Sequence, residues 1–251
     1  MFERWLRWRR NRILRRNRID ADRWDTAIRT VHTARHLDPE DRVRLRDLAS
    51  LFLHEKSIEP AADMEITEAM RVRIAAEACL PILNLGLEDY DDWYTVVLYP
   101  DEFIAPHEYR DEAGVVHAGD DARIGESWDR GPVVISWADV QRSAPGMSVV
   151  IHEMAHKLDQ RDGTFNGHPP LHRDMKGTAW HDAFSTAFDD LTRRVHSDED
   201  TAISSYGAEN PAEFFAVVSE EFFCRPRLLY GTWPDVYEQL ERYYRQRTLG
   251  R

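Results

Sequence analysis

Residues 152–156 read His-Glu-Met-Ala-His, directly after the mostly apolar run Met147-Ser148-Val149-Val150-Ile151. No other stretch limits the fold so sharply. On a helix, positions i and i+4 share a face, so His152 and His156 point the same way. The apolar run predicts a buried helix, and two unpaired imidazoles on a buried face are costly. That cost disappears if both rings hold one cation. Neutral imidazole is a good zinc ligand, and Glu153 sits about 100° round the helix, near enough to take a proton from a water at the ion. With eleven His in 251 residues, chance supplies the pattern roughly 0.04 times. The stretch is therefore read as a metal site rather than as a helix with two incidental His.

A catalytic zinc needs a third protein ligand and an open position. The downstream candidates are Asp159, Asp162, His168, His172, His181, Glu213, Glu220 and Glu221. An extended HExxHxxGxxH site would need Gly and His where this chain has Asp159 and Asp162, so that class is excluded. Asp159 falls on the same face as the two His. It is either a partner for an imidazole N–H or a solvated acid at the helix end. Residues 210–223, NPAEFFAVVSEEFF, predict a second helix with Asn210 as N-cap and Pro211 at the first position. Glu213 is then either a ligand or the closing acid of a capping box. Helical projection groups Glu213, Val217 and Glu220 away from Phe214, Val218 and Phe222. An acid on a partly buried face needs a partner, so both Glu213 and Glu220 stay open as the third ligand.

The rest of the chain predicts an α+β domain. Apolar residues at helical spacing mark helices within 20–36, after Asp38-Pro39, and near 65–84. Trp93–Tyr99, Val115–His117 and Val133–Trp137 read as short strands. Helical periodicity then returns. Helices, a few strands, then helices argue against an alternating parallel fold. No apolar run approaches the ~18 residues of a transmembrane helix, and no secretory signal precedes the domain. Cys79 and Cys224 have no CxxC partner and read as reduced thiols of a cytosolic protein. His32, His36 and His54 show no ligand spacing.

Net charge divides the chain into residues 1–19, a basic Arg/Trp-rich arm, and 20–251, the domain. The total is −12; residues 1–18 contribute +7 from eight Arg and one Glu, leaving −19 on the rest. A body this acidic excludes a general nucleic-acid-binding domain. The arm itself has three readings: a helix that caps the domain, weak contact with an anionic membrane surface, or non-specific nucleic-acid binding.

HEMAHKLD, DGTFNGHPPL and SYGAENPAEFFAVVSEEFF resemble the Mlc titration factor A family of bacterial zinc-dependent peptidases, as do RVRIAAEACLPILNLGL, VVLYPDEF and VVISWADV. The resemblance spans most of residues 20–247. The zinc-binding half is also similar to the catalytic domain of anthrax lethal factor. The resemblance implies a single zincin-like domain with N-terminal helices, a small sheet and C-terminal zinc-binding helices. It implies one zinc per chain on His152, His156 and Glu213, with Glu153 as catalytic base and Tyr206 as the active-site tyrosine. The implied activity is gluzincin-like hydrolysis of peptides, with an aminopeptidase as one form. The implied partner is the repressor Mlc, whose sequestration relieves repression of glucose phosphotransferase genes. The competing expectation is a regulatory binding protein in which peptidase activity is secondary.

Overall fold

A computed structural model describes residues 2–100, 109–110, 116–117, 131–142 and 146–250. Helix α1, Phe2–Asn17, opens the chain. It lies against α3, Pro39–Glu55, with Ile13 buried and Leu14 packed on the core. Between them runs α2, Ala21–Ile28, whose N-cap Asp20 accepts from Asp22 N and Arg23 N. Asp38 caps α3 through Asp41 N, and Pro39 fills the first turn, where a missing N–H costs nothing.

Strand β1, Ser57–Pro60, follows α3. Helix α4, Glu68–Cys79, is capped by Thr67 and ends before Pro81. Strand β2, Thr95–Tyr99, comes next. A small antiparallel pair joins β3, Tyr109–Arg110, to β4, Val116–His117. Strand β5, Val133–Ser136, leads into the short helix α5, Trp137–Arg142. Strands β1, β2 and β5 form one sheet in that order, with both pairings parallel. Ile58 registers with Val96, and Val96 with Val133.

Helix α6, Val149–Asp159, is mostly buried. It packs against α4, β5 and α8, Pro211–Cys224. Helix α7, Gly177–His196, precedes α8. The short α9, Pro226–Thr232, and α10, Pro234–Tyr244, follow it. Trp180, Phe184, Phe214, Phe215 and Tyr243 interlock as an aromatic cluster between α7, α8 and α10. Among the described residues no helix is long and apolar enough to cross a membrane.

The α+β class stands, with corrections at element level. The strand expected over Trp93–Tyr99 begins only at Thr95, because Trp93 turns inward onto Phe52 and Tyr90. The strand expected to include Trp137 stops at Ser136, whose hydroxyl accepts from Asp139 N and starts α5. Strand β1 was not foreseen. Only Ile58 of its four residues is buried, and the segment ends in Pro60. The parallel pairing was also not foreseen. It arises because the segment containing α4 crosses over between β1 and β2.

Candidate metal centre

Helix α6 begins where Ser148 accepts from Ile151 N through its hydroxyl. That cap sets the phase of the helix, so His152 and His156 fall one turn apart on the face turned towards α8. Asn210 caps α8 by accepting from Ala212 N and Glu213 N. Glu213 therefore occupies the first turn of α8. Its carboxylate reaches across to the two imidazoles rather than closing a capping box.

The three ligand-type atoms converge. His152 Nε2 lies 3.0 Å from Glu213 Oε2. His156 Nε2 lies 3.1 Å from His152 Nε2 and 3.4 Å from Glu213 Oε2. A tetrahedral zinc with ligands at 2.0–2.1 Å would separate its donor atoms by about 3.3 Å. His152, His156 and Glu213 could thus hold one metal ion. The chemistry of the donors agrees with the geometry. Two ring nitrogens this close cannot both present lone pairs without a proton or a cation between them. Burial opposes a proton on His152, but the hydrogen bonds it donates to the Glu213 and Glu220 carboxylates outweigh it and push its pKa up to about 10. Burial likewise works against an ionised Glu213, yet its bonds to His152 and His156 hold it well below the usual carboxylate range. The pocket is built to hold positive charge.

Glu220, the other candidate third ligand, lies behind the site. Its Oε1 is 2.8 Å from His152 Nδ1, the ring nitrogen facing away from Glu213. Its Oε2 accepts from Ser148 N at 2.7 Å. The carboxylate therefore selects the tautomer with Nδ1 protonated and leaves Nε2 free to ligate. Ser148 Oγ in turn donates to Glu77 Oε2, and Glu77 is held by Arg73. Glu220→Gln keeps the size but removes the charge. It is expected to weaken zinc affinity about 10–100-fold, measured by competition with a chelator. Unchanged affinity would show that Glu220 does not tune His152.

Asp159 is not a solvated acid; it is fully buried at the end of α6. Its Oδ2 accepts from Asn166 N at 3.0 Å and Gly167 N at 2.7 Å; burial pushes its carboxyl above the usual range, against the pull of these bonds and of nearby His156. His156 Nδ1 and Asp159 Oδ1 are both buried without a hydrogen-bond partner among the described residues. The loop that Asp159 holds places the Phe165 ring 4.8 Å from that of His156. Phe165 was not singled out in the sequence, and only the turn residues around it hinted at a shaped loop. Gly167 has φ +73°, and a Cβ there would lie 2.2 Å from Pro211 O at the start of α8. Gly167→Ala should therefore destabilise the fold by at least about 2 kcal/mol. Gly163→Ala should cost less, since its Cβ would enter open space. Urea unfolding midpoints of the two variants check the difference.

Glu153 is half-buried beside His152 and forms no hydrogen bond among the described residues. Tyr206, in a 3₁₀ turn capped by Ser204, brings its ring centroid 5.9 Å from that of His152. Burial, together with the charges of Glu213, Glu209 and Glu153, raises its pKa and keeps the phenol protonated. The remaining candidates lie elsewhere. His172 Nε2 bonds Tyr243 O, and His168 faces Trp180. Glu221 pairs with Arg225, Asp162 accepts from Thr164, and His181 is exposed. Cys79 and Cys224 are free thiols.

Known proteins share this arrangement of sequence. The family model described as glucose-regulated metallo-peptidase M90 matches residues 5–245. That match takes in most of α1, which the motif resemblance over 20–247 had left outside. The chain is 38% identical over 234 residues to the Mlc titration factor A of Yersinia pestis (strain Pestoides F), covering 91% of this chain and 86% of that protein. The Mlc titration factor A of Yersinia pseudotuberculosis serotype O:1b (strain IP 31758) matches to the same extent.

Proposed function

Because the chain belongs to the glucose-regulated metallo-peptidase M90 family, we propose that it hydrolyses peptide bonds at a zinc ion held by His152, His156 and Glu213. The observation that carries this reading is the convergence of three buried ligand atoms within 3.4 Å, with Glu153 next to His152 on the helix and the Tyr206 ring 5.9 Å from that of His152. When bound, the ion supplies Lewis acidity. The chain's own residues handle the protons. Glu153, on the turn that carries both imidazoles, takes a proton from the attacking water and returns one to the leaving amine. Tyr206 keeps its proton and donates a hydrogen bond to the oxyanion that develops on the scissile carbonyl. Asp159 and Glu220 act on the two imidazoles from behind. Strand β5 ends the sheet among the described residues and contacts α6, so it offers an edge on which an extended peptide can align. Cleavage of the aminopeptidase type and a cytoplasmic location complete the proposal.

Elemental analysis with a fluorogenic peptide screen tests it. Protein purified without added metal should carry about one zinc per chain. Chelation should abolish hydrolysis, and restored zinc should recover it. A metal-free protein with His152, His156 and Glu213 intact would overturn the reading.

The name shared by the relatives favours a second reading, in which this chain binds the repressor Mlc and peptidase activity is secondary. A pull-down with the Glu153→Gln protein separates the two. Repressor held by the Glu153→Gln chain, together with a zinc-loaded parent chain that cleaves none of the screened peptides, makes binding the primary role.

A further inference from the structure

We propose that the outward face of α1 is a docking surface for anionic phospholipid bilayers. At 100° per residue, Arg4, Trp5, Trp8, Arg12, Arg15 and Arg16 fall within one arc of about 120°. All six are exposed, Trp5 to 53% and Trp8 to 58%. Leu6, Ile13 and Leu14 point the other way, with Ile13 and Leu14 packed on the core. The domain thus already occupies one side of the helix. Its acids neutralise Arg on the flanks: Arg9 pairs with Glu55, Arg10 with Glu88 and Arg18 with Asp47. Arg4, Arg12, Arg15 and Arg16 form no ion pair among the described residues, although the chain beyond residue 18 carries −19. Four Arg together, with no ion pair among the described residues, suit an acidic partner.

The two Trp decide which partner. Large indoles one turn apart, left exposed on a helix with a filled inner face, suit the headgroup layer of a bilayer, where an amphipathic ring is stable. The Arg12 guanidinium lies 5.6 Å from the Trp8 ring centroid, so charge and indole form one patch. A flat bilayer meets only this patch and keeps its distance from the acidic remainder. A nucleic-acid strand stacks on aromatics within a groove that tracks its backbone, and the convex side of a single helix supplies none. Seated this way, the domain rests on the membrane surface without spanning it.

Co-sedimentation of the full chain with vesicles tests the proposal. Phosphatidylcholine vesicles containing phosphatidylglycerol should pull the protein down, and salt should weaken the binding. Pure phosphatidylcholine should not. The charge-reversed variant R4E/R12E/R15E/R16E should lose at least about 100-fold in partitioning, and W5A/W8A about ten-fold. Circular dichroism and unfolding midpoints matching the parent show that both variants remain folded. Wild-type protein that stays in the supernatant, or binds neutral and anionic vesicles alike, overturns the proposal. So do variants that bind as the parent does. Capture of a single-stranded oligonucleotide through the same Arg, with no vesicle binding, would also overturn it and make the face a nucleic-acid site.

Discussion

Glu153→Gln is expected to retain zinc and to lose peptide hydrolysis by about 10²–10⁴-fold, the usual contribution of a positioned general base. The substitution is nearly isosteric. Glu153 is half-buried and forms no hydrogen bond among the described residues, so little of the fold depends on its charge. Its place between His152 and Met154 on α6 is set by the helix, and glutamine inherits it. The amide cannot accept a proton from the attacking water or carry one to the leaving amine. The loss should therefore appear in kcat, with KM and zinc content little changed. Turnover close to that of the parent would remove Glu153 as the base. Loss of zinc would show instead that the carboxylate supports the metal site.

Glu213→Ala is expected to remove the metal. Zinc content should fall from about one per chain to near zero, because two imidazoles alone leave a three-ligand site incomplete. The effect reaches beyond the ion. Glu213 is buried and lies within 3.4 Å of both His152 Nε2 and His156 Nε2. Without it, a proton on His152 in the metal-free protein keeps Glu220 as its one carboxylate hydrogen-bond partner among the described residues. Breaking one side of a buried ionic pair costs about 3 kcal/mol or more. The urea midpoint of the metal-free variant should fall accordingly. The Asn210 cap is independent of the Glu213 side chain, so helix α8 should form and the loss should be local. Zinc retained in Glu213→Ala and lost in Glu220→Ala would exchange the roles of the two acids.

The contrast between these acids marks how far the sequence could be read. Both lie on one side of α8 by helical projection, so periodicity left either as the third ligand. The choice depends on where α8 crosses α6. The crossing brings the first turn of α8 to Nε2 of His152, and the next turns to Nδ1 and the Ser148 cap. Asp159 shows the same limit. Its spacing from the His pair was visible, but at a helix end it read equally well as solvated. Residues 163–168 fold back and bury it, a turn that needs Gly167 at φ +73° against the start of α8. Strand β1 escaped because Ser57, Glu59 and Pro60 carry no apolar alternation, and only pairing with β2 makes them a strand.

Local spacing determined that His152, Glu153 and His156 share one turn of a helix, since the backbone repeat alone sets that relation. It determined the caps at Asp38 and Asn210 for the same reason: both are contacts within a few residues. Composition determined that an acidic domain carries one basic segment. Tertiary structure decided the rest. It brought Glu213 to Nε2 of His152 and Glu220 to Nδ1, buried Asp159, and turned one side of α1 inward while leaving Trp5 and Trp8 outside. Those outcomes depend on contacts between segments distant in sequence, or on loops folding back. Such contacts form only when apolar helices and strands pack together. No periodicity within one segment encodes the distance to another.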